Sequence, residues 1–134
     1  LSYADLSSAS LYSANLRYAN LSSANLRSAI LSYADLRSTA LSRSIYSPAG
    51  ILFQIAIGAV SDSLTIELMS WDATVCGLEK MRLWGDGGPC PFGGQIVRPL
   101  QFIEQRHLAA SVHEPRMNLM ELWWAVAEEL GMKL

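Results

Sequence analysis

Cys76, Cys90, His107 and His113 together carry enough sulfur and nitrogen donors for a tetrahedral zinc site. Such sites usually announce themselves as Cys-x-x-Cys or His-x-x-x-His, because a close pair of ligands fixes two corners of the tetrahedron. Neither spacing occurs here, so a metal-binding cap or metal-dependent enzyme is a minor alternative. Glu104 and His107 stand at i and i+3 if 99–109 is helical. That spacing suits a base and its orienting partner, and equally a surface ion pair. Cys90 sits between Pro89 and Pro91 with no local base, and reads as a thiol held in a rigid loop. The stretch GDGGPCPFGG (85–94) lacks the Gly-Lys-Ser/Thr ending of a phosphate loop, and its prolines remove two backbone donors. No catalytic residue and no cofactor is expected.

The elements that would position these groups come in two grammars. Leu occupies 1, 6, 11, 16, 21, 26, 31, 36 and 41, and Ala occupies 4, 9, 14, 19, 24, 29 and 34, a period of five. On an α-helix, steps of five advance about 140°, so the leucines would scatter around the cylinder. On a flat strand, odd steps send successive side chains to opposite faces. A chain that bends once per repeat gathers every Leu on one axis, with the small Ala inside each bend. Each buried Leu then contributes on the order of 2 kcal/mol.

The tandem A(D/N)LXX units, read as Ala4-Asp5-Leu6-Ser7-Ser8, Ala14-Asn15-Leu16-Arg17-Tyr18 and Ala19-Asn20-Leu21-Ser22-Ser23, resemble the pentapeptide-repeat family. The resemblance covers about the first third of the chain. It implies a right-handed four-sided β-helix, in which positions twenty apart lie above one another. Ser10, Ile30 and Ala40 depart from the usual Asp or Asn, and Tyr46 stands where the next Leu would fall. The sequence opens on Leu1 already in phase, which leads us to expect further repeats upstream.

The overall expectation is therefore a mainly β fold: a right-handed quadrilateral β-helix (solenoid) at 1–47, then a small mixed α/β capping domain at 48–134. The composition shift supports that boundary. All nine glycines and all four tryptophans follow residue 47. ILFQIAIGAV (51–60) is β-branched and apolar, suited to covering the last turn. Over 61–75, Leu64, Leu68, Trp71 and Val75 share one helical face, and Ser61, Asp62 and Ser63 offer N-caps. A short helix is expected at 78–84. In the last helix, Asn118 and Glu121 form a capping pair and Leu119, Leu122, Trp123, Val126 and Leu130 a buried stripe, with Gly131 as the stop. LTIELMSWDA, GGPCPF and MNLMELWWAVAEELG are similar to the tails of uncharacterised bacterial pentapeptide-repeat proteins.

With 134 residues, half of them hydrophobic, and a net charge of −2, the chain is not built for bulk binding to nucleic acid or anionic membrane. Two cysteines make no disulfide framework and no stretch is long enough to span a bilayer, so a cytoplasmic protein is expected. The surface of the repeats points to a non-catalytic structural or protein-interaction module. Tyr12, Ile30 and Tyr33 would cluster on one outward face, and Arg17 and Arg37 would lie together on the next, able to share an anion. Trp124 falls off the stripe of the last helix. These features suit an unidentified protein partner or a homodimer. Long acidic members of the resembled family mimic DNA toward type II topoisomerases. Two Asp against four Arg in these repeats cannot supply that row of charge, but acidic upstream repeats would, so a DNA-mimicking regulator of type II topoisomerase stays as an alternative expectation.

Overall fold

The computed structural model describes residues 2–52, 60–91 and 103–134. The chain divides into two compact units, 1–59 with 123–134, and 60–122.

In the first unit, the five-residue period becomes a set of stacked backbone turns. Parallel bridges join Asp5 to Asn25, Ser10 to Ile30, Asn15 to Asp35, Asn20 to Ala40 and Asn25 to Ile45, so the register between turns is twenty residues. Two hydrogen bonds make each bridge. Leu6 donates its N–H to the Asn25 carbonyl at 2.8 Å, and Asn25 donates to Ala4 at 2.9 Å. Between bridges the chain reverses: Ala9 donates to the Leu6 carbonyl at 3.0 Å, and Ala24 to Leu21 at 3.0 Å. The second central residue of each reversal has positive φ, at Tyr3, Ser8, Ser13, Tyr18, Ser23, Ser28, Tyr33, Ser38 and Arg43. That is the hand a type II turn requires, adopted here without glycine. Asp5, Asn15, Asn20, Asn25 and Asp35 each accept the backbone N–H two residues on through Oδ1, at 3.0–3.1 Å. The Asp/Asn of the repeat is thus a turn-former.

The turns close over Leu21, Leu26, Leu31, Leu36 and Leu41, with Ala24, Ala29 and Ala34 beside them, all buried. Thr39 takes the place of an Ala in this column. It is fully buried, and its hydroxyl donates to the Leu16 carbonyl at 2.9 Å.

The expected mainly β class is overturned. Among the described residues no sheet forms and each bridge is isolated; the regular elements are α1 (Pro48–Leu52), α2 (Asp62–Cys76), α3 (Leu78–Gly85), a 3-10 helix (Ile103–Ser111) and α4 (Leu119–Glu129). The reason is local: each repeat spends one residue on a bridge and then turns through a left-handed residue, so no two consecutive residues extend a ladder. Among the described residues of the part expected as a mixed α/β cap, the regular elements are all helices, joined by turns and irregular chain, and the one bridge is that made by Lys133. Ile51 and Leu52, expected to begin the apolar stretch covering the last turn, lie buried in α1, which opens on Pro48, a residue suited to the first helical position. The remainder of that stretch up to residue 59 falls outside the described residues.

The last residues return to the repeats. Leu130 accepts from Ser38 N–H at 2.8 Å, Lys133 donates to Thr39 at 2.9 Å and accepts from Leu41 at 2.7 Å, and Lys133 bridges to Ala40. Gly131 makes the reversal possible at φ 68°. Gly131 N–H bonds the Glu128 carbonyl at 3.1 Å and Met132 N–H the Ala127 carbonyl at 2.9 Å, the Schellman pairing. Trp123, fully buried, donates its indole N–H to the Tyr46 hydroxyl at 3.3 Å and tilts against that ring.

The second unit packs α2, α3 and the 3-10 helix around Leu64, Leu68, Met69, Ala73, Met81, Trp84, Ala109 and Val112, all buried. The Ser61 hydroxyl caps α2 by accepting from Leu64 N–H. Val75, expected on the buried face, is exposed in the last turn of α2. A Cβ at Gly85 would collide with the backbone at Ala109 and Ala110, so α3 and the 3-10 helix meet there only through glycine. Arg106 secures the end of α3: it donates to the Trp84 and Gly88 carbonyls and lies over the Trp84 ring at 5.3 Å.

Candidate functional site

Outward positions on the stacked turns are set by the repeat itself: the residue before each Leu and the two after it face solvent. On one side, Ser10–Ser13 lies against Ile30–Tyr33, joined by the Ser10–Ile30 bridge and by Ser13 N–H donating to Ser32 at 2.8 Å. Tyr12 is 62% exposed and Ile30 48%. Tyr33, half-buried, meets Tyr12 edge to face with centroids 5.5 Å apart. The two tyrosines thus meet on this side, and Ile30 is exposed on the same side.

On the next side, Arg17 and Arg37 share a column, as their spacing implies, yet each has its own partner. The Arg37 guanidinium forks onto Asp35, with Nε 2.9 Å and Nη2 2.6 Å from its carboxylate oxygens. That hydrogen bonding holds the Asp35 carboxyl below the usual carboxylate range and the Arg37 guanidinium above its ordinary value. Arg17 lies over the Tyr18 ring at 5.8 Å. Asp5 turns onto Ser7, whose hydroxyl donates at 2.6 Å and lowers its pKa. Both carboxylates of the repeats therefore serve their own turns and make no charged row of the kind DNA mimicry needs. Trp124 is exposed on α4, opposite the buried Trp123.

The groups with catalytic or metal-binding potential do not assemble. Among the described residues no cluster of three or more His, Cys, Asp or Glu could hold a metal ion. Glu104 and His107 are both exposed on the 3-10 helix, and no hydrogen bond joins them. Cys76 and Cys90 are free thiols. Burial pushes the Cys76 thiol up, away from the thiolate a nucleophile requires. No helix among the described residues is long and apolar enough to cross a membrane.

One polar constellation lies outside the sequence expectations. Glu67 on α2 is buried, and its Oε1 accepts the backbone N–H groups of Arg116 at 2.6 Å and Met117 at 2.8 Å. His113 stands beside it, with Nε2 3.7 Å from Oε2. Ser70 Oγ donates to Ile66 and accepts from His113 N–H, and Trp71 Nε1 donates to Met117, so the segment 113–117 is tied to α2 at several points. A signal for Glu67 existed: it lies at i+3 from Leu64 and i−4 from Trp71, a carboxylate on an apolar stripe, which calls for buried donors.

Residues 1–43 match the family model for pentapeptide repeats, in eight copies. No curated protein and no solved structure matches the chain significantly.

Proposed function

With residues 1–43 built of pentapeptide repeats, we propose that the chain acts as a non-catalytic protein-interaction module whose docking face is the side carrying Tyr12, Ile30 and Tyr33. The observation behind this reading is the edge-to-face pair of Tyr12 and Tyr33 beside an exposed Ile30. Aromatic side chains bring large contact area at low entropic cost, and they are enriched at the centres of interfaces. The two rings already rest edge to face against each other, which reduces the ordering left to do on binding. Arg17 and Arg37 on the neighbouring column supply a charged rim, and Trp124 on α4 is a second exposed aromatic anchor.

A photo-crosslinking residue placed at Tyr12 or Tyr33, with Ser7 as the control on another side, tests the reading in the native host. One discrete adduct from the tyrosine positions and none from Ser7 supports it, and an adduct of twice the chain mass identifies the partner as a second copy. The same smear of products from all three positions removes it.

A further inference from the structure

The 60–122 unit holds a cavity of about 330 Å³ lined by Ser63, Leu64, Ile66, Glu67, Ser111, His113, Arg116 and Met117. Its chemistry is independent of the tyrosine face. The Glu67 side chain is only 6% exposed. Oε1 is saturated by the two backbone N–H groups of Arg116 and Met117, whereas Oε2 accepts no hydrogen bond among the described residues. Opposite Oε2 stands His113 Nε2, at 3.7 Å.

The tautomer of the neutral imidazole follows from its other nitrogen. His113 Nδ1 lies 2.7 Å from the Glu114 carbonyl oxygen. A carbonyl only accepts, so in the neutral ring the hydrogen is on Nδ1 and Nε2 turns its lone pair toward Glu67. With the ring neutral, two acceptors thus face each other at the cavity wall with no hydrogen between them. Oε2 opens on the cavity and is not sealed from solvent, and a largely buried carboxylate with one oxygen free there favours a cationic donor. Metal coordination is not the answer, since the described residues supply only these two ligating groups at the site. Leu64, Ile66 and Met117 add an apolar wall that a chain of methylenes can cover. Arg116 on the same lining carries positive charge, which opposes any cation and so favours a ligand with no more than one positive charge.

We propose that this cavity binds a primary alkylammonium group bearing a single positive charge, with the ammonium donating to Glu67 Oε2 and His113 Nε2 and its alkyl stem against Leu64, Ile66 and Met117. A free alkylamine and a lysine side chain share that chemistry.

The test uses the full chain and nuclear magnetic resonance near pH 8, where imidazole side chains are ordinarily neutral. The probes are n-butylamine, Nα-acetyl-lysine methylamide, n-butanol and 1,4-diaminobutane. Ligands of this size reach affinities on the order of millimolar. The expected result is a saturable shift of the His113 ring and of the Arg116 and Met117 amides with n-butylamine, and weaker binding of n-butanol and the diamine. Saturation by the lysine derivative as well assigns the site to protein side chains, and its exclusion assigns it to free amines. Glu67→Gln keeps an acceptor for the two amides but removes the charge, and weakens n-butylamine by roughly tenfold or more. If n-butanol binds as tightly as n-butylamine, or no saturable shift appears at these three residues, the proposal is overturned. That comparison needs only the wild-type chain, so it stands even if Glu67→Gln fails to fold.

Discussion

Tyr12 and Tyr33 sit on successive turns of the repeats and meet edge to face, their ring centroids 5.5 Å apart at 69°. The contact couples two turns that the leucine column already joins from within. An exposed aromatic pair can serve the fold, a partner, or both, and the two roles have separate readouts.

For stability, a double-mutant cycle of Tyr12→Ala and Tyr33→Ala, followed by urea unfolding, yields a coupling of about 0.5–1.5 kcal/mol. Additive losses would mean that the rings touch without stabilising one another, leaving the pair with no part in holding the turns together.

Gly131 ends α4 at φ 68° and sends the chain back to the repeats. Gly131→Ala destabilises by about 1 kcal/mol, because a left-handed alanine is strained and its entropic gain in the unfolded chain offsets only part of the strain. The new Cβ would also stand 3.3 Å from Ser38 Oγ. Thermal unfolding measures the loss, and Gly131→Asn, which tolerates this conformation better, recovers part of it.

Asp35 is held ionised in the folded chain by Arg37 to a lower pH than in the unfolded chain. Its stabilising contribution is therefore complete above the ordinary aspartate value of about 3.9 and is lost as pH falls through the depressed folded value. Urea midpoints of the wild type drop on going from neutral pH to below about pH 4, and Asp35→Asn shows a smaller drop. Equal slopes would mean that the Asp35–Arg37 fork is too well solvated to matter.

The repeat register was legible because the constraint is strict: Leu at every fifth position leaves a single way to bury Leu21, Leu26, Leu31, Leu36 and Leu41 together. The helix limits set by Ser61, Asn118 and Gly131 were legible through their caps. Asn118 Oδ1 accepts Glu121 N–H at 2.8 Å while Glu121 Oε1 accepts Asn118 N–H at 3.2 Å, the reciprocal pair their spacing suggests. The fold class was misread because an isolated bridge and a strand draw on the same residues, and only the turn that follows tells them apart. Ile51 and Leu52 have strand-like composition, yet they follow a proline that suits the start of a helix. The return of Lys133 to Ala40 left no trace, since Met132-Lys133-Leu134 carries none of the repeat's pattern. The Glu67–His113 site was missed because its donors are backbone N–H groups of Arg116 and Met117, which no side-chain motif encodes.

The left-handed residues of the turns bear on how this surface can vary. None of the nine is Val, Ile or Thr, side chains branched at Cβ that this backbone tolerates worst. Within that limit side chains of very different size are accepted: serine, tyrosine and arginine all occupy these positions. The turns thus work as a pegboard with evenly spaced holes, and exchanging one unbranched peg for another changes the surface the repeats present while the leucine column beneath keeps its shape.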